Sequence, residues 1–214
     1  KNEVDSHKSL EEIKKDLAVF KKLRKSDGIS IAGGDPLLHP DIIEIIKMVK
    51  ADGQKPIINT NGIALTKELL GQLKKAGVYG FTFHIDSKQN RPGWKNKNEL
   101  ELNELRLYFA KMLKETGNIS CAFNSTVYED TIQYIPQMLR WAEEYIDFVQ
   151  VMVFILYRAV NNSEVDYYLG PNKIDMNALV YNEECSARVD MKAPEAVSEI
   201  RKLYPDFDPC AYLN

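Results

Sequence analysis

From Ile29 to Leu156 the chain alternates apolar runs of strand length with stretches of helical period, and no tight hairpin signal joins neighbouring strands. Antiparallel neighbours can be linked by two residues, whereas parallel ones need a crossover of a dozen or more, usually a helix. The alternation therefore predicts an α/β fold with parallel strands and right-handed crossovers. Strands are read over 29–31, 56–60, 79–86, 119–127 and 148–156.

The helices carry their own signals. Ser9-Leu10-Glu11-Glu12 has the form of a capping box, and Leu10, Ile13, Leu17, Phe20 and Leu23 predict one buried stripe behind it. Pro40 is read in the first turn of a helix whose buried face is Ile42, Ile45, Ile46 and Val49. Thr66 caps a third helix through Leu69, Leu70, Leu73 and Ala76, closed by Gly77. A long helix runs through Leu102, Leu105, Phe109 and Met112 to Gly117, and Pro136 opens another with Leu139, Ala142 and Tyr145. After Arg158 the periodicity fades: 161–188 is polar and Tyr-rich, with a short helix expected over 175–181. Pro194, Val197, Ile200 and Leu203 predict a last helix stopped by Pro205. Residues 1–158 are read as the core and 159–214 as a C-terminal extension packing on it.

A chain of 214 residues, 44% hydrophobic, can bury a core of this size. The net charge of −3 gives no basic field for nucleic acid or anionic lipid. No apolar run reaches the ~18 residues of a membrane span, and no signal peptide opens the chain. Cys121, Cys185 and Cys210 are too scattered for a disulfide framework or a metal-ligand set, which points to a reducing cytoplasm. The first residue, Lys1, and the immediate start of a complete helix point to a piece of a longer protein.

Ser30-Ile31-Ala32-Gly33-Gly34-Asp35-Pro36 ends the first strand in bare backbone. In α/β folds ligands bind at the carboxyl ends of strands, and glycine lets a ligand approach the main chain without Cβ interference. On the third strand Phe81, Phe83 and Ile85 alternate with Thr82, His84 and Asp86, so the polar set faces the interior. On the fourth, Asn124 shares a face with Ala122 and Thr126; on the fifth, Gln150 shares one with Met152 and Phe154. Burying such polar groups without partners costs roughly 1–3 kcal/mol each, which points to a polar ligand, water or mutual pairing.

The ordered set Gly33-Gly34-Asp35-Pro36, Asn59-Thr60-Asn61-Gly62, His84-Ile85-Asp86-Ser87 and Asn124 resembles the radical S-adenosylmethionine (SAM) enzymes over about 10–156. The resemblance implies a partial (β/α)6 TIM-like barrel of parallel strands, with its first strand and cluster loop missing here. It implies that Gly33, Gly34, Asp35 and Pro36, in place of the family's G-G-E-P, hold the methionyl amino group, with Asn61 beside them. It likewise makes the strand ending His84-Ile85-Asp86-Ser87 the ribose-contacting one, implicating Asp86 and Ser87 with His84 in the same cofactor site, Asn124 at the amino-acid or ribose end, and Gln150 and Met152 near the adenine.

The family's C-x-x-x-C-x-x-C signature is absent, and the three cysteines cannot replace it by spacing. The expectation is a chain lacking its cluster loop; the alternative is a lineage that has lost the cluster. In the complete protein the resemblance implies a four-iron four-sulfur cluster, an electron donor such as flavodoxin or ferredoxin, and a 5′-deoxyadenosyl radical that abstracts hydrogen from a small-molecule substrate. The chain alone is expected to bind SAM weakly at most and not to turn over, since the cluster has no thiolate anchor. Arg91 and Trp94 after the third strand, and Arg158 after the fifth, are candidate substrate contacts through ion pairing or stacking. Two rival readings stand beside this one: a metal-dependent barrel lyase or hydrolase using His39, His84 and Asp86, and a non-catalytic barrel that binds a nucleoside or a protein.

Overall fold

The computed structural model describes residues 7–117, 119–158, 167–169, 171–174 and 190–210. Helix α1 (Leu10–Leu23) leads into β1 (Gly28–Ile31), followed by α2 (Ile42–Ala51), β2 (Lys55–Thr60), α3 (Lys67–Ala76) and β3 (Gly80–His84). Then come α4 (Asn103–Thr116), β4 (Ser120–Val127), α5 (Ile135–Glu144) and β5 (Val151–Leu156). The strands pair in the order β1-β2-β3-β4-β5, every pair parallel. The result is an open half barrel with a helix in each crossover, as the alternation predicts.

The core lies between the sheet and the helices. Ile58, Phe81, Phe83, Ile85, Cys121 and Phe123 are buried on that face. Phe83 stacks on Phe109 of α4 with ring centroids 4.5 Å apart, and Phe123 meets Trp141 of α5 edge-on at 5.9 Å. Burying one such side chain is worth about 1.5–3 kcal/mol, so these rings anchor α4 and α5. The opposite face carries Asn59, Thr82, Ala122, His84, Asn124 and Thr126, none of them buried. Register aligns Asn59 with Thr82 and Ala122, and His84 with Asn124. The polar groups therefore stand in rows across the concave side.

The caps follow the sequence. Ser9 and Glu12 form a reciprocal capping box, and Thr66 accepts the Leu69 amide at 3.1 Å. Pro40 differs: α2 starts at Ile42 with Asp41 as its N-cap, so Pro40 precedes the helix instead of entering its first turn. The stripe on α1 also differs, since no residue of this helix is buried; Phe20 is 39% and Leu23 71% exposed. Ile13, Leu17 and Phe20 line a half-open cavity of about 950 Å³ with Ile29 and Ile31 of β1 and Ile45 and Val49 of α2. Periodicity identifies the apolar face of a helix, not how closely another element covers it.

Beyond Arg158, β6 (Tyr167–Leu169) and β7 (Asn172–Ile174) form an antiparallel hairpin within the stretch read as irregular. The sequence between the two strands is Gly-Pro, a punctuating pair that was the local signal for the hairpin. The helix expected over 175–181 falls outside the described residues. Asp190 bridges to Arg158 antiparallel to the end of the sheet, and Met191 donates its amide to the Tyr157 carbonyl. Helix α6 (Ala193–Arg201) then sets Ala196 and Ile200 against Val127 and Ile135.

Candidate functional site at the carboxyl ends of the strands

The diglycine that ends β1 has both residues in the left-handed region, Gly33 at φ +105° and Gly34 at φ +54°. L side chains rarely adopt that backbone. A Cβ on either would meet nothing within 4 Å, so the main chain here borders open space. This bend lines the upper part of the cavity described above, with Asp35, Pro36 and His39.

The Asp35 carboxylate is committed to donors of the chain itself. It accepts the Leu37 amide at 3.0 Å, capping a short 3-10 turn at Pro36–Leu38. It also accepts the Thr60 hydroxyl at 2.8 Å and the Asn61 amide at 3.0 Å. The side chain thus ties the diglycine bend to the end of β2, leaving the main chain of Gly33 and Gly34 as the surface a ligand can meet. Asn61 uses its own side-chain oxygen to accept the Ile63 amide at 2.8 Å.

On β3 the expected alternation holds. His84 lies on the concave face with its side chain 41% exposed, while Asp86 is 3% exposed. His84 Nε2 is 3.0 Å from Asp86 Oδ2 and 2.9 Å from Thr126 Oγ1 on β4. The other Asp86 oxygen accepts the Lys88 amide at 3.1 Å. The histidine, more than the carboxylate, is therefore open to a ligand. Asn124 is its neighbour in register, and Ser87 Oγ is buried without a hydrogen-bond partner among the described residues.

Beneath these groups lies a buried ionic network. Arg106 on α4 pairs with Glu99 at 2.6 Å, with both side chains at most 2% exposed. Arg106 also donates to the Ile85 carbonyl at 2.8 Å, and Glu99 accepts the Ser87 amide at 2.7 Å and the Ser125 hydroxyl at 3.2 Å. Burial draws the Arg106 guanidinium below its ordinary pKa, and the Glu99 charge opposes that. Sequence reasoning missed this pair. The available signal was Arg106 itself, a charged residue on the same face as Leu102, Leu105 and Phe109.

Arg91 stands apart from the expected substrate contact. It is 5% exposed, and one guanidinium nitrogen donates to both the Asn61 carbonyl and, at 2.8 Å, the His84 carbonyl. Its Nε donates to Gln89 Oε1 at 2.9 Å. Burial lowers its pKa, against the pull of nearby Asp86. Trp94 is partly buried against the main core, and Arg158 is exposed on its bridge to Asp190.

Gln150 and Met152 are not where the sequence put them. Gln150 Oε1 accepts the Cys121 amide at 2.8 Å, at the amino end of β4, on the order of 10 Å along the strand from Asn124. Met152 packs into the helix-side core beside Phe123. The inward residues of β5 are Val151, Val153 and Ile155, between 39% and 48% exposed. Both faces of this strand are apolar, so alternation could not tell them apart.

The metal-ligand trio of the rival reading does not assemble. His39 accepts the Asp41 amide on Nδ1 at 3.0 Å, and its Nε2 lies 2.9 Å from the Lys8 carbonyl, so both ring nitrogens are occupied. Among the described residues no three His, Cys, Asp or Glu side chains converge as a metal site. The two described thiols fit an iron–sulfur cluster no better. Cys121 is buried on the helix side of β4, Cys210 is exposed near the end of the described chain, and Cys185 lies outside the described residues. No helix among the described residues is long and apolar enough to cross a membrane.

Three comparisons bear on this arrangement. The family model described as the Radical SAM superfamily matches residues 1–142. Molybdenum cofactor biosynthesis protein 1 of Bos taurus is 40% identical over 63 residues, 28% of this chain and 10% of that protein. The GTP 3′,8-cyclase of Aquifex aeolicus is 40% identical over 79 residues, 36% of this chain and 24% of that one. The crystal structure of Streptococcus suis SuiB bound to S-adenosylmethionine superposes with a TM-score of 0.56 at 18% identity, over 75% of this chain and 36% of SuiB. The matches thus span about a quarter or less of the two sequence relatives.

Proposed function

The chain belongs to the radical SAM superfamily, and we propose that its half barrel binds SAM at the carboxyl ends of β1 to β4. Enzymes of this superfamily use SAM and a four-iron four-sulfur cluster. The observation that carries the reading is the diglycine bend: two consecutive left-handed residues, with open space where side chains would stand, at the carboxyl end of a parallel strand. Main-chain N–H and C=O groups there suit the amino and carboxylate groups of a methionyl moiety. His84, exposed on the concave face beside Asn124, and the buried, unpartnered Ser87 hydroxyl supply polar contacts for the ribose. Val151, Val153 and Ile155 offer an apolar wall on the far side.

SAM bound here would supply, on receiving one electron from a reduced cluster, cleavage of its carbon–sulfur bond to methionine and a carbon radical able to abstract a hydrogen atom. The chain's part is to orient the ligand and keep the reacting carbon from solvent. Asp35 holds the bend against β2, and the Glu99–Arg106 pair fixes the main chain after Asp86. The cluster's thiolates are not found among the described residues, so no step through a cluster is assigned to them. In the whole protein we place hydrogen abstraction from a small molecule, with a ferredoxin- or flavodoxin-like electron donor.

Calorimetric titration with SAM tests the binding site. The chain is expected to bind weakly, and Gly34→Val, whose new side chain enters the space the ligand needs, to abolish the heat. Equal heats from wild type and Gly34→Val would remove the diglycine from the site.

A further inference from the structure

Arg91 is buried, yet its charge is spent on the backbone instead of on a carboxylate. One nitrogen serves the carbonyls of Asn61 and His84, at the carboxyl ends of two adjacent strands. The chain folds back to bring it there through left-handed backbone at Asn90 (φ 46°) and Gly93 (φ 79°), and Gln89 Oε1 holds Nε at 2.9 Å. The Asn61 residue is consequently gripped from two sides. Its amide donates to Asp35, the residue after the diglycine, while its carbonyl accepts from Arg91. His84, whose carbonyl takes the other bond, presents its ring to Asp86 and Thr126.

We propose that Arg91 is a positioning residue for the SAM site, connecting the diglycine bend to the His84 strand end through the peptide groups of Asn61 and His84. The role deepens the proposed SAM reading and rests on it. A guanidinium suits the task because it is planar and offers several donors in a fixed fork. A lysine ammonium in the same place keeps the charge near Asp86 but is a point charge on a flexible stem. It cannot hold two carbonyls and Gln89 in one plane. Charge alone is therefore not the property that matters here.

The test compares wild type with Arg91→Lys and Arg91→Ala. It follows melting temperature, SAM affinity by calorimetry, and the backbone amide resonances of Gly33, Gly34 and His84 by NMR. Both substitutions are expected to weaken SAM binding by about tenfold, the equivalent of one charge-assisted hydrogen bond. They are also expected to shift the Gly33 and Gly34 amides, which Arg91 does not touch. Added methylguanidinium, which refills the vacated fork in Arg91→Ala, should move those amides and the affinity back toward wild type. If Arg91→Ala does not fold, Arg91→Gln takes its place. Arg91→Lys that binds SAM like wild type with unmoved glycine amides would overturn the proposal, as would a loss of stability that methylguanidinium leaves uncorrected. If wild type itself binds no SAM, the proposed function fails, and the glycine amide shifts with their reversal by methylguanidinium still decide the role of Arg91.

Discussion

Asp35 Oδ2 accepts the main-chain amide of Asn61 at 3.0 Å, joining the bend after β1 to the end of β2 across 26 residues of sequence. The same carboxylate takes the Thr60 hydroxyl and caps the turn at Leu37. One short acid thus fixes three donors that would otherwise compete with a ligand. Asp35→Ala removes a cap and leaves partly buried donors unpaired, effects of about 0.5–2 and 1–3 kcal/mol respectively. Urea unfolding is expected to show a loss of about 2–3 kcal/mol. A loss below the error of the extrapolation would mean that the bend holds its shape without the carboxylate.

Gly62, in the turn after β2, sits at φ +77°, and a Cβ there would lie 2.7 Å from Phe109 Cζ and 3.1 Å from Phe83. Those two rings form the closest stack of the core, at 4.5 Å. Gly62→Ala must either strain the backbone or push the rings apart. Overpacking typically costs 1–3 kcal/mol and a strained left-handed residue a similar amount, so thermal unfolding is expected to show a loss of at least about 2 kcal/mol. The neighbouring bend gives the control. Gly33→Ala meets no atoms within 4 Å, and its cost is the backbone term alone.

The sheet was legible because each strand carried either an alternating pattern or flanking breakers. Phe81, Phe83 and Ile85 against Thr82 and His84 told the two faces of β3 apart, and the diglycine marked the end of β1. The pattern failed where it was degenerate. Val151 to Leu156 is apolar on both faces, so the inward set was assigned to Gln150 and Met152 when it is Val151, Val153 and Ile155. It also failed where the partner is distant in sequence. Nothing near Arg91 tells that its hydrogen bonds reach Asn61, 30 residues back. Asp86 was legible as an interior acid, but its commitment to His84 and Lys88 depended on a local turn that spacing does not encode.

Cys121 provides a pH test. Burial pushes its thiol up from 9.0 to about 12, on the helix side of β4. The folded state therefore keeps the proton that the unfolded state releases near its ordinary value. This contribution to stability is fully present below about pH 9 and is lost as pH rises toward 12. Wild type is expected to lose stability faster than Cys121→Ala across that window in urea unfolding. A thiol reagent at pH 8 should modify exposed Cys210 and spare Cys121 in the folded chain, as peptide mass spectrometry would show. Modification of both at equal rates would mean that the strand opens readily or that the thiol is not buried.

The Glu99–Arg106 pair makes the sharpest stability prediction, because neither group can reach water. Removing one partner of a buried ion pair typically costs about 3–5 kcal/mol, since the remaining charge is stranded, whereas replacing both with apolar groups is often near neutral. Glu99→Met should therefore destabilise more than the Glu99→Met, Arg106→Met double variant, a non-additivity that a double-mutant cycle in urea reads directly. The pair also braces the main chain of the proposed site, since Glu99 accepts the Ser87 amide and Arg106 donates to the Ile85 carbonyl on either side of Asp86. The double variant should consequently regain stability without regaining SAM affinity, because no apolar side chain restores those two main-chain bonds. Recovery of both together would make the network a packing feature alone, and additive single losses would show that the two charges do not depend on one another.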